Sequence, residues 1–163
     1  MMEEEAQVVI VGGKLSGDKD VKGLQALAKT LKISPRVHFF GARPRQEMPL
    51  IYSAAQITVV PSYHESFGLA AVESLACGTP VVATRAGGLM TVVQHGETGY
   101  LVPRCPGFFA ERLDTLLRDA DLYARMSAAA RASVRRFSWC SVARQVNDVY
   151  DAIVDEAECL VAQ

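Results

Sequence analysis

Glu65 and Glu73 stand eight positions apart in the stretch PSYHESFGLAAVE, residues 61–73. An ionised carboxylate only accepts hydrogen bonds, through two oxygens, so such a pair suits the neighbouring hydroxyls of a sugar rather than a phosphate. Between them, Gly68 precedes Leu69, Ala70 and Ala71 at what reads as a helix start. Glycine lets a ligand come close there. A helix start also offers unbonded N–H groups and the positive end of the dipole, worth roughly 0.3–1 kcal/mol per anion and more with direct contacts. The N–H groups near Ser66, Phe67, Gly68 and Leu69 are therefore a candidate cradle for a diphosphate. Two glutamates at this spacing also arise by chance, so the surroundings of the pair have to carry the reading.

Those surroundings alternate strand and helix. The apolar run 57–60 before Pro61 reads as a buried strand, because proline cannot donate a ladder hydrogen bond and marks its end. Upstream, Val8, Val9, Ile10 and Val11 form a β-branched run closed by Gly12-Gly13, as expected of a parallel strand buried on both faces. Val21, Leu24, Leu27, Ala28 and Leu31 recur at helical spacing and predict an amphipathic helix over 21–31 packed on the sheet. A strand over 37–40 stops at Gly41, the loop 42–45 carries Arg43, and a short helix over 46–55 supplies apolar contacts from Met48, Leu50, Ile51 and Tyr52.

Downstream of Glu73, Cys77-Gly78 stops the helix and Thr79-Pro80 opens a strand over 81–83. Gly87-Gly88 permits approaches that side chains would block. One helical turn over 91–94, a tight connection over 96–99 and a strand over 100–102 follow, with Thr98 and Gly99 serving the turn or facing a ligand. Helices over 108–118 and 122–134 read as covers. Ser138 reads as the N-cap of a long helix whose Trp139, Val142, Val146, Val149 and Ile153 form one apolar stripe, with core packing as the default. About five alternations of strand and helix call for a parallel sheet covered on both faces, with the site at its carboxyl edge.

Length and composition narrow the function. A chain of 163 residues that is 50% hydrophobic suits one globular domain. A net charge of −1 and a pI near 6.3 argue against a general nucleic-acid or membrane-surface binder, and point to a small-molecule partner. Cys77, Cys105, Cys140 and Cys159 are widely spaced, without Cys-x-x-Cys, and read as reduced thiols in a cytoplasmic protein. The start, Met1-Met2-Glu3-Glu4-Glu5, is acidic where a signal peptide is basic, and no apolar run reaches the ~18 residues of a membrane span. Peripheral membrane attachment through another domain stays open.

In combination, Glu65 and Glu73 with seven residues between them, then CGTPVVAT, AGGL and HGETGYLVP, resemble the nucleotide-sugar-binding half of a retaining glycosyltransferase of the GT-B fold, family 4, the glycosyl transferases group 1. The resemblance runs over about residues 8–150. It implies a Rossmann-like doubly wound parallel α/β sheet, with residues 1–163 as a single donor-binding domain ending in the helix over 138–163. By resemblance, the activity moves a hexose-type sugar from a nucleoside diphosphate to an acceptor hydroxyl with retention of configuration. Glu65, the catalytic candidate, then contacts the donor sugar, and Glu73 grips the ribose diol.

The N–H groups of Ser66, Phe67, Gly68 and Leu69 are implied to stabilise the charge that grows on the diphosphate, at roughly 1.5–3 kcal/mol per charge-assisted contact. Gly12, Gly13, Gly87 and Gly88 line the same cleft. Arg43 flanks the base or diphosphate, or is simply a solvated loop arginine. The implied donor is a UDP-sugar, since HESFGLAAVE is similar to the wording in sucrose-phosphate-synthase-like and mycothiol-pathway transferases. No cofactor or metal is implied. Asp18-Lys19-Asp20 has the spacing of a metal site in the other large glycosyltransferase architecture, but it sits before an ordinary surface helix. His64 beside Glu65 is either a catalytic group or a solvated loop residue.

In the resembled family a basic pair neutralises the diphosphate at the donor domain's first strand and helix. Both residues would fall before residue 1 here, and the acceptor-binding domain is expected outside this chain as well. The chain alone is therefore expected to bind nucleotide weakly and to turn nothing over. Two other classes remain. A non-catalytic nucleotide-binding or regulatory module of the same fold would bind nucleotide irrespective of the sugar. A phosphoacceptor domain is disfavoured, because the strands over 8–11 and 57–60 end in Gly-Gly and Pro-Ser and offer no acidic cluster for magnesium.

Overall fold

The structure, a computed structural model, describes residues 6–161. The acidic start, residues 1–5, lies outside the described residues, as do the side chain of Cys159 and residues 162–163 at the end of the helix expected over 138–163. The chain divides into two compact units between Met48 and Pro49. No described helix is long and apolar enough to cross a membrane.

The first unit holds β1 (Val8–Val11), α1 (Lys19–Thr30), a 3-10 turn (Ser34–Arg36) and β2 (Val37–Gly41). β1 and β2 pair in parallel, Val8 against Val37 and Ile10 against Phe39, with a register shift before Val11 meets Gly41. Asp18 starts α1 two residues before the predicted helix: its carboxylate accepts from Asp20 N (2.9 Å) and Val21 N (3.4 Å). Of the five apolar positions expected to pack, only Val21 and Ala28 are buried, whereas Leu24, Leu27 and Leu31 are exposed. At 100° per residue, Val21 and Ala28 fall within about 20° of each other, while the three leucines spread round one flank. That apolar flank is wider than the surface this unit offers to cover it.

The second unit holds α2 (Met48–Ala54), β3 (Thr58–Val60), α3 (Leu69–Ala76), β4 (Val81–Thr84), α4 (Leu89–Val92), β5 (Gly99–Val102), α5 (Pro106–Arg118), α6 (Ala120–Ser133), a 3-10 turn (Arg135–Phe137) and α7 (Trp139–Val161). β3, β4 and β5 are parallel neighbours in that order, Thr58 against Val81 and Val82 against Tyr100. The single sheet expected from the alternation is thus two sheets, β1–β2 and β3–β4–β5. Alternation of strand and helix specifies parallel pairing but not which strands become neighbours, and here the ladders end at β1 and at β3.

Every residue of β4 is buried because both faces of its sheet are covered. On one face Val81, Ala83 and Leu101 pack with Val60, Ala71, Leu75, Leu89, Val92 and Ala130. On the other, Val82, Tyr100 and Val102 pack with Phe109, Leu116 and Met126. Each fully buried leucine or valine contributes about 1.5–3 kcal/mol relative to exposure. The one-turn helix lies at α4, two residues earlier than expected, since Leu89 is fully buried in that core.

α7 departs from the sequence expectation. Ser138 caps it as predicted, its hydroxyl accepting from Ser141 N at 3.2 Å. The stripe, however, faces solvent: Trp139 is 88% exposed, and Val142, Val146, Val149 and Ile153 are exposed too. Both sheet faces are already covered by α3 to α6, so no core is left among the described residues for a further amphipathic helix.

Candidate functional site

Pro61 ends β3 at the carboxyl edge of the three-stranded sheet, and residues 61–68 turn the chain into α3. Gly68, the residue before the helix, is left-handed (φ +95°), a conformation that costs glycine little and other residues more. Its N–H does not face an incoming ligand, as the sequence suggested. It donates instead to Glu65 Oε1 at 3.1 Å, while Ser62 Oγ donates to Glu65 Oε2 at 3.4 Å. The Glu65 carboxylate therefore folds back as the anion that satisfies the start of α3. The N–H groups of Ser66, Phe67, Leu69 and Ala70 have no protein acceptor among the described residues, whereas Ala71 N already donates to Gly68 O. The cradle is thus shifted around Gly68 rather than centred on it. Phe67 anchors the loop by an edge-to-face contact with Phe137, ring centroids 5.2 Å apart.

Gly87 and Gly88 come to this loop, but for a different purpose than ligand approach. Gly88 N donates to Glu65 O at 2.9 Å. A Cβ on Gly87 would lie 1.9 Å from Glu65 O, and one on Gly88 2.4 Å from Phe67 Cα. The two glycines let backbone lie against backbone, and so fix where the Glu65 loop stands. Thr98 serves its own turn, its hydroxyl accepting from Gln94 N at 3.1 Å.

Glu73 lies inside α3 and is partly buried. Tyr52, in α2, donates its hydroxyl to Glu73 Oε2 at 3.1 Å, and Thr79 Oγ1 donates to Tyr52 O at 2.7 Å. Tyr52 is only 8% exposed. Burial first, then the Glu73 charge and its hydrogen bond, push the phenol pKa up to about 12. One Glu73 oxygen is thereby held in place by a group that stays protonated. Sequence reading took Tyr52 for an apolar contact. The available signal was that a buried tyrosine hydroxyl needs a partner, but nothing local names a residue 21 positions away.

In the first unit, Gly12 N donates to Gly41 O (2.8 Å) and Ala42 N to Gly13 O (3.0 Å), which brings Gly12 and Gly13 beside the Arg43 loop. The Arg43 guanidinium lies 5.4 Å from the Phe40 ring centroid and 3.8 Å from Glu47. Asp18 spends its carboxylate on the N–H groups of Lys14, Asp20 and Val21, which hold its pKa below the usual carboxylate value. The Asp18-Lys19-Asp20 spacing is thus accounted for by a helix cap. His64 is exposed.

Comparison with known proteins follows this geometry. The family model described as glycosyl transferases group 1 matches residues 1–133. A D-inositol 3-phosphate glycosyltransferase of Corynebacterium jeikeium is 42% identical over 153 residues, covering 93% of this chain and 36% of the relative. Alr3699/HepE of Anabaena, solved with UDP, superposes with a TM-score of 0.82 at 31% identity over 90% of this chain and 41% of its own; it is also solved with UDP-glucose. Sucrose-phosphate synthase (tll1590) of Thermosynechococcus elongatus superposes with a TM-score of 0.81 at 33% identity, over 92% of this chain and 39% of its own. The chain spans little more than a third of the length of the curated relative.

Proposed function

The chain belongs to the glycosyl transferases group 1 family, and on that premise we propose that it is the donor-binding domain of a retaining GT-B transferase that takes a hexose from a UDP-sugar. The observation that carries this is the loop from Pro61 to α3: a carboxylate, Glu65, at a helix start with N–H groups open on either side of Gly68, and a second carboxylate, Glu73, held by Tyr52. The complexes of the Anabaena relative with UDP and UDP-glucose support the choice of donor.

In this reading Glu73 accepts from the ribose hydroxyls and Glu65 from hydroxyls of the transferred sugar. Engaging the donor requires Glu65 to exchange its bond to Gly68 N for one to substrate, which adds Gly68 N–H to the diphosphate cradle. The bond between the sugar's anomeric carbon and the diphosphate oxygen breaks. The pair of electrons leaves with the diphosphate, where the fixed N–H groups of Ser66, Phe67, Gly68 and Leu69 stabilise the charge. The acceptor oxygen bonds to the same carbon and its proton passes to the departing phosphate. Gly87 and Gly88 keep the loop in register. The chain spans 36% of its curated relative's length, and in this reading the acceptor domain belongs to the remainder of the transferase.

The test is an NMR titration of the chain with UDP, UDP-glucose, GDP-mannose and ADP-glucose, repeated on Glu73→Ala. The expected result is preference for the uridine compounds, lost in the variant. Equal affinity of the variant removes Glu73 from the ribose site, and sustained sugar transfer by this chain alone refutes the division of labour.

A further inference from the structure

One cavity on the second unit borders the donor loop through Ser62 and Tyr63 but is lined by neither Glu65 nor Glu73. It holds about 260 Å³ at the carboxyl ends of β3, β4 and β5, and Ser62, Tyr63, Thr84, Arg85, Val102 and Arg104 line it. Ligands in open parallel sheets bind at this edge.

Its two arginines are held by their stems and not by counter-charges. Arg85 Nε donates to Leu101 O at 3.3 Å and Arg104 Nε to Pro61 O at 3.0 Å. The Arg104 guanidinium carbon also lies over Tyr63, 3.1 Å from the ring centroid. Among the described residues neither guanidinium pairs with a carboxylate. A guanidinium carries five N–H donors, so with Nε committed each arginine keeps its two terminal nitrogens for a planar, bidentate acceptor. Thr84 spends its hydroxyl hydrogen on Ser62 O at 2.7 Å, which fixes the floor between the two strand ends.

We propose that this cavity is an oxyanion site for a phosphate monoester, separate from the nucleotide's own diphosphate site. Two guanidiniums of net charge +2, with backbone acceptors fixing both stems, match a dianionic phosphate better than a singly charged carboxylate. The volume admits a small molecule and not a nucleotide. Ser62 joins the cavity to the donor loop, because its hydroxyl donates to Glu65, so an anion bound here lies beside the residues assigned to the transferred sugar. The site stands on its own geometry and survives if the donor assignment fails.

The experiment follows the side-chain Nε–H signals of the full chain by NMR as inorganic phosphate is added at constant ionic strength, with acetate as the carboxylate control and with and without saturating UDP. The expected result is saturable millimolar binding of phosphate that shifts the Arg85 and Arg104 signals, persists in the presence of UDP, and exceeds the acetate response. Arg85→Gln should weaken it roughly tenfold, the loss of one charge-assisted pair, with a small drop in thermal midpoint from the lost bond to Leu101 O. Because Arg104 holds Pro61 O and also stacks on Tyr63, Arg85→Gln is the primary variant and Arg104→Gln the second. Absence of saturation, wild-type affinity retained in both variants, an equal response to acetate, or displacement by UDP each overturns the proposal.

Discussion

Gly88→Ala isolates what the paired glycines do. Gly88 sits in the right-handed helical region (φ −61°, ψ −21°), so by backbone conformation alone alanine should be accepted. In a compatible conformation such a change stabilises by about 0.4–1 kcal/mol, because the unfolded chain has fewer states to lose. The added methyl would nevertheless lie 2.4 Å from Phe67 Cα and 2.5 Å from Phe67 O, about 1 Å inside the 3.4 Å at which ordinary contact begins. These are backbone atoms and no rotamer change relieves them. Overpacking of this kind costs about 1–3 kcal/mol. Loss of the bond from Gly88 N to Glu65 O adds about 1 kcal/mol. The clash therefore wins over the entropy gain.

Because Ser66 and Phe67 are exposed, the loop can retreat while the core around Val81 and Leu89 stays packed. The expected outcome is a loss of stability of about 1–3.5 kcal/mol together with a loss of nucleotide affinity. A shift of about 1 Å breaks any single N–H contact to the diphosphate, roughly ten- to a hundredfold in Kd. Urea denaturation and NMR titration with UDP measure the two effects, with Met90→Ala at an exposed position as control. Wild-type UDP affinity and stability in Gly88→Ala would show that the loop's position does not depend on this contact.

Further tests concern single contacts. Tyr52 should ionise last among the tyrosines, at about pH 12, in a spectrophotometric titration, and Glu73→Gln should lower that value. Its folded-state pKa is raised above the ordinary 10.0, so its stabilising contribution is complete below pH 10 and lost as pH rises through about 12; Tyr52→Phe should remove this alkaline loss, and an unchanged profile would break the assignment to Tyr52. Asp18 has the opposite sign: its pKa lies below 3.8, so its cap on α1 is intact above that value and is lost as pH falls through the lower folded-state value. Hydrogen exchange at Asp20 and Val21 should accelerate under those acidic conditions, and Asp18→Ala should show fast exchange already at neutral pH. Trp139, the single tryptophan, should be quenched by acrylamide in the folded chain nearly as fully as in urea; a protected, blue-shifted indole would contradict its exposure.

Sequence alone determined the elements and their order. Apolar runs bounded on at least one side by glycine or proline marked the five strands, because both features act within a few residues. Ser138 and the Cys77-Gly78 stop located helix ends for the same reason. It also singled out the candidate site, since the Glu65 loop and the paired glycines are contiguous motifs. Tertiary structure decided everything that depends on a counter-surface. Whether Leu24, Leu27 and the α7 stripe are buried depends on what remains to cover them, which helical periodicity does not encode. Which strands pair, and that Gly87 and Gly88 accommodate the backbone of residues 65–67 rather than a ligand, depends on which strand ends come to lie side by side. Tyr52 meets Glu73 across 21 positions of chain, with Thr79 holding the Tyr52 carbonyl at the start of β4. Contacts between residues more than twenty positions apart are settled by packing, and local sequence preference has no reach over that distance.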